Sequence, residues 1–134
     1  MYTYNTKIRL FHTDAAGVMF HSKLFDIAHE CYEEFLEKSG LSIKKIFDDR
    51  KFLSPVVHAQ ADYFKSLIVG DKITIRMSLD SLGKSSFAFN YILYNELDEK
   101  AAELKIIHAL IDPKSGKSIK IPKNLFKILD SLKT

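Results

Sequence analysis

Apolar and polar positions alternate from the start of the chain. Tyr2 and Tyr4, then Ile8, Leu10 and Phe11, stand against Thr3, Asn5, Lys7 and Arg9, which predicts a first strand running to Phe11. The segment His12-Thr13-Asp14-Ala15-Ala16-Gly17 breaks the alternation with polar turn formers, small residues and a glycine able to adopt positive φ. From Leu24 the period changes. Leu24, Ile27, Ala28, Cys31, Phe35 and Leu36 recur at the three-and-four spacing of one helix face, with Glu30, Glu33, Glu34 and Glu37 opposite. This helix is expected to end near Lys38 and Ser39, with Gly40 as the left-handed residue after it. A second flank through Phe25, His29, Tyr32 and Leu36 makes its apolar sector wider than one sheet contact requires.

The segment through Asp48, Asp49 and Arg50 reads as a polar connection. Beyond it four strands are predicted over 56–64, 72–79, 86–94 and 103–112. Turn signals separate them at Gly70-Asp71, Gly83-Lys84, Asn95-Glu96 with Asp98, and Pro113 to Gly116. Ile73, Ile75, Met77 and Leu79 alternate with Thr74, Arg76 and Ser78, as do Phe87, Phe89 and Tyr91 with their neighbours, so the sheet has one buried face for the long helix to cover. Pro122 opens a short terminal helix through Leu125, Phe126, Ile128, Leu129 and Leu132. The expectation is a single α+β domain over 1–134: one antiparallel sheet curled round one long helix. Its open edge strand and the helix's second flank are both relieved if two copies pair edge to edge.

Composition narrows the function classes. A hydrophobic content of 46% supports a packed core and argues against disorder. The net charge is only +3, although Lys114, Lys117, Lys120, Lys123 and Lys127 crowd the last part of the chain and suit an anionic partner. No nucleic-acid module accompanies those lysines, so a nucleic-acid role is not expected. A lone cysteine, Cys31, excludes an internal disulfide, and no Cys or His pairs stand at metal-ligand spacing. No signal sequence or membrane span is read, and a soluble, cytoplasmic protein is expected.

The candidate chemistry lies between Asp14 and Ser22, where a carboxylate and a glycine run into the start of the long helix. A helix N-terminus presents unpaired N–H groups and partial positive charge, which polarise an acyl carbonyl and stabilise the oxyanion of its tetrahedral intermediate. The His21 backbone N–H is the candidate donor, and Asp14 the candidate general base or nucleophile. Neither role needs a metal or other cofactor. On residue chemistry alone, an Asx-turn or capping role is the commoner explanation for Asp14, and His12 and His21 are more often turn residues than catalytic ones. His29 reads equally as a satisfied core histidine or a pocket residue, and for His58 the strand face is open. Cys31 is taken as packing.

The run Thr13-Asp14-Ala15-Ala16-Gly17-Val18-Met19-Phe20-His21, with the helix from His29 to Leu36 and the segment from Ser54 to Phe64, resembles the hydroxybenzoyl-CoA thioesterase branch of the hotdog-fold proteins. The resemblance implies a five-stranded antiparallel sheet wrapped around a long central helix. It implies an acyl-CoA substrate, Asp14 as the catalytic carboxylate, the His21 amide as oxyanion donor, and Gly17, His29 and His58 as substrate-binding positions. It also implies a homodimer or homotetramer with sites at subunit interfaces, and a CoA moiety lying along a basic surface. His29-Glu30 with Val57-His58-Ala59 looks most like the dihydroxynaphthoyl-CoA thioesterases of quinone biosynthesis. Ala15 and His29 depart from the hydroxybenzoyl-specific enzymes, which have proline and an acidic residue there. A short-chain or carrier-protein thioesterase and a non-catalytic acyl-CoA-binding hotdog are the alternatives.

Overall fold

The computed structural model describes residues 1–133. Its strands are β1 (Tyr2–Lys7), β2 (Val56–Tyr63), β3 (Lys72–Leu82), β4 (Ser86–Tyr94) and β5 (Lys100–Ala109), and its helices are α1 (Lys23–Lys38), α2 (Ile43–Asp49) and α3 (Lys123–Asp130). All strands join one antiparallel sheet in the order β1-β3-β4-β5-β2. The long crossover from β1 through α1 places β2 at the edge opposite β1.

Amphipathic periodicity explains the layers. The α1 stripe Leu24, Ile27, Ala28, Cys31, Phe35 and Leu36 is buried in one cluster with Ile75, Met77, Phe89, Tyr91, Leu104 and Ile106 from the concave face of the sheet. Tyr2 meets Phe35 at 5.4 Å between ring centroids, and Tyr32 meets Phe89 at 5.2 Å. Helix α1 stops at Lys38, where Gly40 takes φ +89° and its N–H donates to the Glu37 carbonyl. The core extends into α3, where Leu125 and Leu129 are buried.

β3 runs three residues past the expected 72–79 and β5 starts and ends three residues before the expected 103–112, and two further elements differ in kind from the sequence reading. The first strand ends at Lys7 rather than Phe11, because Leu10–His12 winds into a 3-10 turn in which the His12 Nδ1 accepts the Arg9 N–H at 2.9 Å. Leu10 and Phe11 are consequently exposed, whereas His12 is buried. The segment read as a polar connection contains α2, whose Ser42 side chain caps the Lys45 N–H and whose Ile46 anchors it to the core. A helix of one buried residue leaves almost no periodic signal.

Strand β2 differs from its neighbours because α1 does not reach across it. Ala59, Ala61 and Tyr63 pair with the buried Ile106, Leu104 and Ala102, so they share the concave face. His58, Gln60 and Asp62 pair with Ile107, Lys105 and Glu103 on the convex face. A register shift between Val56 and His58 returns Val56 to the concave side, opposite His108. Two cavities mark a trough between β2 and α1, one between Tyr63 and His21 and the other between Val56 and His29.

Candidate active site

The Asp14 loop is built by backbone geometry that its residues favour. Asp14 donates its N–H to the Val18 carbonyl at 2.9 Å, and its Oδ1 accepts from the Ala16 and Val18 N–H groups at 2.8 and 3.3 Å. This is the Asx-turn behaviour of aspartate. Oδ2 has no protein partner among the described residues, so one oxygen is anchored and the other is free at the exposed face of the loop. Gly17 closes the turn at φ +77°, a conformation costly for any residue with a Cβ, and its carbonyl accepts the Val69 N–H at 2.9 Å. Val69 thereby ties the loop to the turn before β3. Met19 completes that tie by donating to the Leu67 carbonyl at 2.8 Å.

Beyond Met19 the chain enters α1 through Phe20, His21 and Ser22. Ser22 has helical φ and ψ and supplies no side-chain cap. The His21 N–H donates to no protein acceptor among the described residues, leaving a free donor at the positive end of a helix of 16 residues. Tyr63 of β2 fixes this residue from across the trough, its hydroxyl donating to the His21 carbonyl at 2.5 Å. Tyr63 was not among the sequence-predicted site residues. Its position on the concave face of the edge strand was the available signal, but which face that was depended on the irregularity at Val57. Around His21 and Tyr63 lies a cavity of about 230 Å³, with Met19, Phe64 and Leu67 in its wall.

His29 lies further along the same flank of α1, exposed at the rim of a second cavity of about 360 Å³ shared with Tyr32, Ser54, Val56 and His108. Asp14 and Gly17 thus sit in the turn that leads into His21 and the start of α1, and His29 lies about two helical turns further along, at the second cavity. His58 joins neither group within one chain. It stands on the convex face, its Nε2 2.9 Å from the Gln60 Oε1.

His108 was missed by the sequence reading. It is 2% exposed, with its ring stacked on Phe87 at 5.1 Å and its Nδ1 2.9 Å from the Ser54 carbonyl. The signal was its register, since it continues the buried alternation of Leu104 and Ile106. Burial pushes the His108 pKa below the usual imidazole value, helped by His29, and burial likewise lowers that of His12. Cys31 on the buried face of α1 is pushed up to about 12 by burial, with a further contribution from Glu30, so it holds no thiolate at neutral pH. Among the described residues no group of three or more His, Cys, Asp and Glu side chains is arranged to hold a metal ion.

The two buried histidines make acid stability a test. An unfolded chain takes up a proton on each near pH ~6.5, whereas the folded chain resists it. More protons are therefore bound in the unfolded state, so stability rises with pH through this window and is lost as pH falls from about 6.5 toward the lowered folded values. Melting temperatures followed by circular dichroism should drop between about pH 7 and pH 5. His12→Asn, which keeps an acceptor for the Arg9 N–H, should lessen that drop; an unchanged pH profile in the variant would assign no part of it to His12.

A sheet of this order round a long helix, with a free carboxylate and an unpaired amide at the helix start, defines a hotdog protein equipped for acyl chemistry. Residues 8–129 match the family model described as the Thioesterase-like superfamily, and the chain belongs to that family. It is 36% identical over 114 residues to a 1,4-dihydroxy-2-naphthoyl-CoA hydrolase from Crocosphaera subtropica, covering 84% of this chain and 83% of that one. It is 35% identical over 133 residues to the enzyme of the same name from Rippkaea orientalis, covering 98% and 96%. Among solved structures, a 1,4-dihydroxy-2-naphthoyl-CoA thioesterase from Synechocystis superposes with a TM-score of 0.92 at 26% identity, over 98% of this chain and 96% of that one.

Proposed function

We propose that the protein hydrolyses an aromatic acyl-CoA, with 1,4-dihydroxy-2-naphthoyl-CoA of quinone biosynthesis as the preferred substrate. The observation that carries this reading is the pairing of a half-anchored Asp14 carboxylate with the unpartnered His21 N–H at the N-terminus of α1. The thioester carbonyl is directed at that amide, and Asp14 either activates water or attacks the carbonyl carbon itself. CoA leaves as its thiol and the acid is released. The relatives named as hydrolases of this substrate support the choice of acyl group. A cytoplasmic setting suits a chain with one buried cysteine and, among the described residues, no helix long and apolar enough to cross a membrane.

The active unit is a dimer or a dimer of dimers. Support comes from β2, an edge strand on which Val56, Val57 and Tyr63 are 40%, 60% and 46% exposed, a pairing-competent surface that isolated chains rarely leave open. A second copy against β2 would roof the trough. Sedimentation velocity at micromolar concentration checks this, and a species of one chain would remove it.

The direct test of activity is free-thiol release from dihydroxynaphthoyl-, hydroxybenzoyl-, phenylacetyl- and straight-chain acyl-CoAs. Preference for the naphthoyl ester by roughly tenfold or more in kcat/KM is expected, as befits a pocket built for specific ring contacts. Equal turnover of straight-chain esters would overturn the substrate assignment, and no turnover of any ester would overturn the activity.

A further inference from the structure

His108 carries an unmet hydrogen-bonding demand. A carbonyl oxygen can only accept, so the 2.9 Å contact with the Ser54 carbonyl makes Nδ1 the protonated nitrogen of the ring. Nε2 is then a lone-pair acceptor, and it is buried with no partner among the described residues. Such groups are few in folded proteins and call for an explanation. None of the surrounding rings provides the bond. Phe87 stacks on His108 at 5.1 Å, Phe89 lies edge-on at 5.8 Å, and the Tyr32 ring centroid is 5.0 Å away. Burial keeps the imidazole neutral, which preserves the lone pair.

The location of this acceptor matters as much as its state. His108, Tyr32 and Ser54 form the deep side of the cavity of about 360 Å³, while the exposed His29 and Val56 form its rim, with His29 6.1 Å from His108 between ring centroids. A dry cavity of ~150 Å³ accommodates benzene, so this one has room for two fused rings. Its aromatic walls suit a flat ring and its one orphaned acceptor suits a hydrogen-bond donor. Nε2 itself is covered, so a donor in the cavity reaches it only when the lining side chains shift.

We propose that His108 is a specificity-determining residue: its Nε2 accepts a hydrogen bond from the ring hydroxyl remote from the thioester, the 4-hydroxyl of a 1,4-dihydroxy-2-naphthoyl group, so that the cavity selects a free 4-hydroxyl over a bare or O-methylated position. This rests on the thioesterase reading for its substrate, but not for its test. A site built around a hydrogen bond to a ligand hydroxyl discriminates strongly against the analogue lacking it, because the protein group is then left buried and unpaired. The selection is for a donor in particular, which separates it from general aromatic packing.

The experiment compares 1,4-dihydroxy-2-naphthoyl-CoA with its 4-O-methyl ether and with 1-hydroxy-2-naphthoyl-CoA, in the wild type and in His108→Phe. The wild type should prefer the 4-hydroxyl by roughly tenfold or more in kcat/KM, and the variant should bring the three esters within about threefold of one another. A preference that survives in His108→Phe overturns the proposal. Binding of the three free acids, measured by calorimetry, gives the same comparison without turnover, so a protein that binds selectively but hydrolyses nothing would refute the activity and leave His108 supported. The third readout needs no variant: the His108 Nε2 nitrogen-15 resonance of the wild type should shift toward the hydrogen-bonded position with the 4-hydroxy acid and stay in place with its methyl ether. Identical shifts for both acids overturn the proposal.

Discussion

Asp14→Asn should lower kcat by on the order of 10³-fold while leaving the melting temperature within about 2 °C of the wild type. The two halves of that result have separate causes in the loop. An asparagine still offers Oδ1 to the Ala16 and Val18 N–H groups, so the turn that closes at Gly17 keeps its side-chain anchors. What it loses is the anionic Oδ2, the oxygen free of protein partners, and with it both the base and the nucleophile. Thiol release alongside thermal denaturation measures both halves, and a variant within tenfold of the wild type would remove Asp14 from the chemistry. Solvent oxygen-18 found in the Asp14 carboxylate after a single turnover would identify it as the nucleophile.

Phe89→Ala should cost about 3–5 kcal/mol of folding stability. Phe89 is fully buried in β4 under α1, with Phe87 at 5.3 Å, Tyr91 at 6.0 Å, Tyr32 at 5.2 Å and His108 at 5.8 Å between ring centroids. Removing the ring leaves a void that these side chains cannot fill without leaving their rotamers. For a domain of this size, with ~5–15 kcal/mol of total stability, the loss amounts to a fall of roughly 10–20 °C in melting temperature. Denaturant titration gives the free energy directly, and a change below about 1 kcal/mol would mean the sheet closes over the gap. Because Phe89 also supports Tyr32 and His108, the aromatic end of the trough should loosen before the Asp14 turn.

The sequence by itself determined the layers of this protein. The three-and-four stripe from Leu24 to Leu36 specifies a helix buried on one side, and the alternation in 72–79 and 86–94 specifies a sheet with one dry face. These patterns are legible because burial on one face imposes a period of 3.6 or 2 over many residues. The Asp14 segment was legible for a different reason: an Asx-turn, a left-handed glycine and a helix start are all short-range features written within nine residues. The same locality explains why residue chemistry alone favoured a structural role for Asp14, since a turn-forming aspartate looks the same whether or not it reacts.

Tertiary structure decided what local pattern does not encode. Strand β2 is exposed along nearly its whole length, so its alternation carries no burial signal, and the irregularity at Val57 turns His58 to the convex face while Tyr63 reaches His21. One extra residue in a strand exchanges its two faces, and whether that residue is accommodated depends on the pairing with β5 rather than on the residues of β2. His108 shows the same limit from the other side: its inward register could be read from Leu104 and Ile106, but its fixed tautomer and unpartnered Nε2 exist only because Ser54, 54 positions earlier, folds back against it. Faces and periods are properties of a segment, whereas a free hydrogen-bonding atom is a property of everything packed around it.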